Sequence, residues 1–248
     1  MRDCCVPENT FTGRIARTYD TTSQEMFRPE VLDPAVDFLA DLAGDGEALE
    51  LAIGTGRVAL PLSQRGVRVH GIELSEDMVA QLRTKPDADA IGVTIGDFVT
   101  TKVNRSFRLA YLVYNTIMNV TTQAEQVDTF RNVAGHLEPG GCFVIEVVIP
   151  ALQRVPIGAK YRVFHATPSH IGFEDFDIAT QISYSHHWFE VDGQLEKFSA
   201  PYRYVWPSEL DLMAQLAGMT LRERWGSWKR DPFTSDSRWQ IAVWEKPA

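Results

Sequence analysis

The sequence predicts an α/β fold built on a doubly wound, mostly parallel sheet, and three observations carry that expectation. Short apolar runs alternate with amphipathic segments through residues 30–150, the pattern of parallel strands joined by crossover helices. The glycines Gly54 and Gly56 link the first apolar run to a helical segment. After Pro150 the texture changes to alternating segments rich in Tyr, Phe, Val and Trp, so a β-rich unit follows the alternating core.

Residues 30–43 place Val36, Leu39, Ala40 and Ala43 at helical spacing. Ala48–Ala52 is a compact apolar run that reads as a buried strand. A helix then runs from Arg57 to Gln64 and stops at Gly66, followed by a strand over Val67–Glu73. Ser75 is placed to cap a helix reaching Leu82. Strands are expected at Ala90–Ile95 and Leu109–Tyr114, and a helix over 122–137 closes at Glu138-Pro139-Gly140-Gly141. Cys142–Ile149 is a strand, apolar except for Glu146. Within 160–206, Asp192-Gly193 is the turn signal of a β-hairpin. A helix resumes at Ser208 and ends near Gly218, and strands at Thr220–Trp225 and Arg238–Glu245 flank the loop 226–237.

Composition narrows the function classes. Of 248 residues, 44% are hydrophobic and 23% charged, as in an ordinary globular chain. The 33 Asp+Glu outnumber 24 Lys+Arg, giving a net charge of -9 with no basic stripe, which argues against nucleic acid as partner. A small uncharged or cationic substrate fits better. The first residues lack the apolar stretch of a secretory signal, and no run is long enough to span a membrane. Cys4 and Cys5 are adjacent and Cys142 is far from both, so neither a disulfide set nor metal-ligand spacing is present; reduced thiols in the cytoplasm are expected.

The chemistry concentrates at the glycine turn. Gly54-Thr55-Gly56 lets a ligand approach the backbone at the start of a helix, and Glu73, 19 residues after Gly54, can accept from ribose hydroxyls. Taken alone, this turn serves NAD and S-adenosylmethionine alike. Its neighbours separate them. Glu50-Leu51-Ala52-Ile53-Gly54-Thr55-Gly56, then Gly96-Asp97-Phe98 after the third strand, then Glu138-Pro139-Gly140-Gly141 before the fifth, resemble in order the signature motifs of class I S-adenosylmethionine-dependent methyltransferases. Ala52 departs from the family pattern, standing where its first glycine would be.

The resemblance implies a Rossmann-like seven-stranded sheet with an antiparallel last strand, plus the β-hairpin insertion. It divides a single domain, 1–248, into an N-terminal lid (1–29), a cofactor-binding core (30–150), a substrate-side insertion (151–206) and a completing segment (207–248). It implies S-adenosyl-L-methionine as cofactor, held by Glu50, Ala52, Gly54, Gly56 and Met78. Glu73 would bind the ribose, Leu74, Gly96, Asp97 and Phe98 the adenine, and Asn115 with Ile117 the neighbourhood of the sulfonium. The N-terminal segment and the insertion resemble small-molecule N-methyltransferases of antibiotic biosynthesis, including amino-sugar and lincosamide enzymes. On that basis Phe11, Tyr19, Met26 and Phe27 form a lid, and no metal is required.

For proton handling the candidates are Tyr19, His186 and His187. Adjacent residues of a strand point to opposite faces, so one of the two histidines is expected in the pocket and the other on the insertion's surface. His136 is expected as a helix C-terminal cation or surface residue, and Arg57 as a surface residue at a helix start, with the cofactor carboxylate within its reach as the alternative. The six tryptophans are read mainly as packing, with an aromatic cage for a cationic amine as the alternative. No unambiguous base is visible, which favours a nitrogen acceptor over an oxygen acceptor. O-methylation, an NAD-dependent oxidoreductase and a non-catalytic cofactor-binding protein are the competing readings. Oligomeric state is left open, with a homodimer among the options.

Overall fold

Strand parity divides the sheet residues between two apolar layers. The computed structural model describes residues 9–156, 158–191 and 193–248. Its central strands are β1 (Glu47–Leu51), β4 (Phe107–Leu112), β5 (Leu137–Val148) and β11 (Trp239–Glu245). Leu49, Leu51, Leu112, Phe143, Ile145 and Trp244 face one layer, against α5 (Gln123–His136) and α6 (Pro207–Leu216). Ala48, Tyr111, Val144 and Val243, one residue out of phase, face the other, against α2 (Pro29–Ala43) and α3 (Ala59–Gln64). Burial on both faces explains why these strands read as continuous apolar runs. In the first layer the Phe130 ring stands edge-on to Phe143 and Trp244 at 5.1 and 5.3 Å, and each such pair adds roughly 0.5–1.5 kcal/mol beyond area burial.

With β2 (Arg68–Glu73), β3 (Gly92–Ile95) and β10 (Thr220–Trp225), the sheet order is β10-β11-β5-β4-β1-β2-β3. Only β11 runs against the others, pairing antiparallel with both β5 and β10. This is the seven-stranded sheet with an antiparallel last strand that the sequence led us to expect. The Ser75 hydroxyl accepts the Met78 N–H at 3.2 Å and caps α4 (Glu76–Arg83), as anticipated. Thr122 does the same for α5 through Glu125.

Three local expectations need correction. Glu138-Pro139-Gly140-Gly141 does not end a helix in a free turn: β5 runs through it, with an irregular register opposite Phe107–Leu109. The insertion is larger than one hairpin. β6 (Tyr161–Thr167), β7 (His170–Asp177), β8 (Ile182–Val191) and β9 (Gln194–Arg203) form a separate four-stranded antiparallel meander. Gly193 closes β8 onto β9 with φ 73°, while Asp192 lies outside the described residues, as do Cys4 and Cys5. His136 is buried, its Nδ1 2.8 Å from the Asn132 carbonyl and its Nε2 accepting the Val103 N–H at 2.8 Å. Burial lowers its proton affinity, so it is a neutral staple between α5 and the β3–β4 connection. Cys142 is a free, buried thiol, and among the described residues no helix is long and apolar enough to cross a membrane.

Candidate cofactor and acceptor site

Two neighbouring strands whose connections leave in opposite directions open a crevice at their carboxyl ends, where open α/β sheets bind ligands. Here those strands are β1, continuing to β2 and β3, and β4, continuing to β5. The glycine turn sits at the mouth. Gly54 (φ 56°) and Gly56 (φ 77°) adopt left-handed conformations open to glycine, but their duties differ. A Cβ on Gly56 would fall 2.4 Å from Leu82 Cδ1, so Gly56 allows the turn to pack on α4. Gly54 lines the cleft, where an added Cβ would meet the tip of Met78 at 3.3 Å and the Ala52 carbonyl at 3.9 Å. Ala52 also lines the cleft, with φ 53°. Ala52 therefore holds, without being glycine, the backbone conformation that glycine suits best.

Two carboxylates flank the turn. Glu73, at the end of β2, accepts the N–H groups of Gly54 at 2.8 Å and Ser75 at 2.9 Å, one on each oxygen. Each oxygen retains acceptor capacity toward the cleft. Burial raises its proton affinity against these two bonds. Glu50, fully enclosed on β1, accepts the Tyr111 hydroxyl at 2.9 Å, and burial pushes its carboxyl up to about 8.

The N-terminal segment packs over one side of the cleft. Helix α1 (Gly13–Thr22) and the following 3-10 turn at Gln24–Phe27 bring Phe11 and Tyr19 against the glycine turn. Asp20 accepts the Thr55 hydroxyl at 2.6 Å and pairs with Lys85 at 2.5 Å, while Lys85 also donates to the Thr55 carbonyl at 2.7 Å. Ser75 donates to the Phe11 carbonyl, and the Gly13 N–H donates to Asp77. Of the expected lid residues, Met26 turns to a second cavity and Phe27 lies under the Lys85 ammonium, 5.3 Å from its ring centre.

The structure brings Tyr19, Glu50, Ala52, Gly54, Glu73 and Met78 to one cleft. The others fall elsewhere. The Gly96 N–H donates to the Glu73 carbonyl at 2.8 Å, which sets Gly96, Asp97 and Phe98 one strand further out, at the end of β3. Asp97 there accepts the Val99 N–H at 2.9 Å. Leu74 follows Glu73 at the same rim, half-buried. Asn115 does not face the cleft: its Oδ1 accepts the Val148 N–H at 2.7 Å, tying the end of β4 to β5. Ile117 is fully buried in the core, because the three-residue repeat of its 3-10 turn presents Thr116 and Asn119 to the cleft instead.

His186 and His187 do point to opposite faces of β8, but neither lines the cleft. The His186 ring meets Ser199 at 2.8 Å and Asp175 at 3.6 Å. Both His187 nitrogens are engaged, with His170 and Ser185 at 2.9 Å each, and burial lowers its proton affinity. Arg57, expected on the surface, turns inward instead and lies over the Tyr114 ring at 5.6 Å.

Tyr114 was missed by the sequence reading, which stopped at its neighbour Asn115. It stands directly beyond β4 at φ 54°, a strained conformation for a bulky residue and a recurrent mark of functional positions. With Arg57, Val58 and Val113 it forms the wall shared by the cleft and the second cavity. Strand-end position was the available signal; the backbone conformation was not.

The fold is shared with known proteins. A methyltransferase-domain family model matches residues 48–141. The CcbJ methyltransferase from Streptomyces caelestis superposes with a TM-score of 0.84 at 33% identity, over 94% of this chain and 96% of that one. The chain belongs to the S-adenosylmethionine-dependent methyltransferases. The methyltransferase is also 27% identical to the cypemycin N-terminal methyltransferase of a Streptomyces species, across 92% of this chain and 97% of that one. The amino pentose methyltransferase CalS10 of Micromonospora echinaspora, described with the cofactor bound, shares the fold: TM-score 0.66 at 18% identity, over 96% of this chain and 99% of that one. The cleft of the methyltransferase suits its cofactor: a left-handed turn leaves backbone open, and a buried carboxylate with spare acceptor capacity stands beside it.

Proposed function

We propose that this methyltransferase transfers a methyl group to an amine nitrogen of a small secondary metabolite. S-Adenosylmethionine supplies an electrophilic methyl group, so the chain's task is alignment and exclusion of water. Gly54 and Thr55 present backbone to the amino-acid part, Arg57 is the cation available to its carboxylate, and Glu73 receives the ribose hydroxyls. Met78 and Leu74, with Asp97 and Phe98 further out, extend the site for the adenine.

One observation carries the choice of nitrogen. Apart from the hydrogen-bonded carboxylates Glu50 and Glu73 and the Arg57 cation, the polar side chains lining the cleft are Tyr19, Tyr114, Thr55, Thr116 and Asn119, and burial raises both phenols, which stay neutral. A neutral phenol accepts a hydrogen bond from an amine but does not deprotonate an alcohol. An amine needs only to give up its ammonium proton before its lone pair attacks, so no base strong enough for an alcohol is required. The name of the cypemycin relative supports an amino acceptor. Incubation with S-adenosylmethionine and matched panels of small amines and alcohols tests this by mass spectrometry. Methylated amines are expected, and methylation of the alcohols alone would overturn it.

A further inference from the structure

Beyond Tyr114 lies a second cavity of about 260 Å³, on the α2 side of the sheet. Its walls are mainly apolar, with Met26 from the lid and the rings of Tyr114, Trp228 and Trp239. Tyr114 and Trp239 stack at 6.5 Å. Into this lining projects Glu146, which shares the strand parity of Cys142 and Val144 and so faces α2. Its oxygens each receive one neutral donor, the Tyr114 N–H at 2.8 Å and Trp228 Nε1 at 2.7 Å. Among the described residues no cation stands within ion-pair distance of it.

Arg57 is the cation of the shared wall: it lines this cavity as well as the cofactor cleft and acts on Glu146 from a distance, but it makes no ion pair with it and stacks over Tyr114, where a carboxylate of the cofactor would engage it. A carboxylate in an apolar cavity, held by two neutral donors, is compensated best by a cation supplied with the ligand. Aromatic faces around it favour the same charge. A net charge of -9 also draws cations toward the protein. Apolar walls disfavour a polyhydroxylated partner, whose hydroxyls would lose their water.

We infer that this cavity receives the methyl acceptor, and that the acceptor is an amine on an apolar or aromatic ring: it enters as an ammonium paired with the Glu146 carboxylate between Tyr114, Trp228 and Trp239, and leaves its proton on that carboxylate so that the freed lone pair takes the methyl group. The inference rests on the amine-methylating function proposed above and deepens it. It assigns Glu146 to acceptor recognition and sets amino sugars apart from the preferred class. The volume, below the roughly 300–1,000 Å³ of most small-ligand pockets, suits a single ring.

Calorimetry separates the two ideas. The protein is first titrated with S-adenosylhomocysteine, then the loaded protein with benzylamine, benzyl alcohol and glucosamine. Benzylamine should bind at least tenfold tighter than either of the others. In Glu146→Gln the gap between benzylamine and benzyl alcohol should close, with S-adenosylhomocysteine affinity within twofold of the parent. Trp239→Leu, which keeps the carboxylate and lies nearer the surface, should weaken benzylamine at least threefold. Equal binding of the three probes, or an unchanged gap in Glu146→Gln together with unchanged benzylamine affinity in Trp239→Leu, would overturn the assignment. Failure of S-adenosylhomocysteine to bind would instead remove the methyltransferase reading itself.

Discussion

Asp20 on the lid helix accepts the hydroxyl proton of Thr55, the central residue of the glycine turn, at 2.6 Å. The same carboxylate holds Lys85, which follows α4 and donates to the Thr55 carbonyl, so one side chain ties α1 to the glycine turn and to the end of α4. The cleft beneath α1 holds about 90 Å³, and we expect α1 to move when cofactor enters or leaves.

Asp20→Ala should therefore loosen that latch. The pair is partly exposed, which limits the loss to about 1 kcal/mol, or roughly fivefold. We expect faster release of S-adenosylhomocysteine and a higher KM for S-adenosylmethionine, measured by stopped-flow fluorescence and steady-state kinetics. An unchanged release rate would show that Asp20 does not hold the lid.

Glu73→Ala removes the acceptor for the Gly54 and Ser75 N–H groups as well as the proposed ribose contact. Two unpaired donors cost on the order of 1–3 kcal/mol each where they stay dry. The melting temperature should fall by several degrees, and S-adenosylhomocysteine affinity should drop at least tenfold. Glu73→Gln keeps one acceptor oxygen and should lie between. Equal affinity in all three proteins would take Glu73 out of the cofactor site.

Glu50 makes stability depend on pH in a defined direction. Its carboxyl is raised from 4.5 to about 8, mainly by burial. A group raised on folding binds its proton more tightly in the folded state, so its contribution is full below pH 4.5 and is lost as pH rises through 8. Glu73 and Glu146 are raised by burial as well and act in the same sense. Comparison with Glu50→Gln isolates the Glu50 share: the parent should lose more melting temperature between pH 5.5 and 8.5 than the variant. Parallel pH profiles would show that Glu50 is not the group responsible.

Ala52 holds φ 53° without the freedom of glycine. A left-handed alanine costs about 1–2 kcal/mol, and the extra unfolded-state entropy of glycine returns roughly 0.5–1 kcal/mol of that. Ala52→Gly should raise the melting temperature by about 1–3 °C for a chain of this size. A fall in melting temperature would mean that the Ala52 methyl makes packing contacts worth more than the strain.

The core of the fold was legible because its physics is local. β1, β4 and β5 are buried on both faces and read as apolar runs, and Ser75 announces α4 through a short-range cap. Glu50, Gly54 and Glu73 were found because a turn, a strand end and a fixed spacing bring them together by sequence alone. Asn115, Ile117, His186, His187 and Arg57 went differently, since side-chain direction at strand ends and in the insertion is set by packing from distant segments. The glycine turn was readable as a tight strand-to-helix turn from sequence alone. That Tyr114 divides two cavities, and that Glu146 faces Trp228 in the second, depended on tertiary structure: β5 and the β10–β11 loop meet across 82 residues of chain, a separation that no local pattern records.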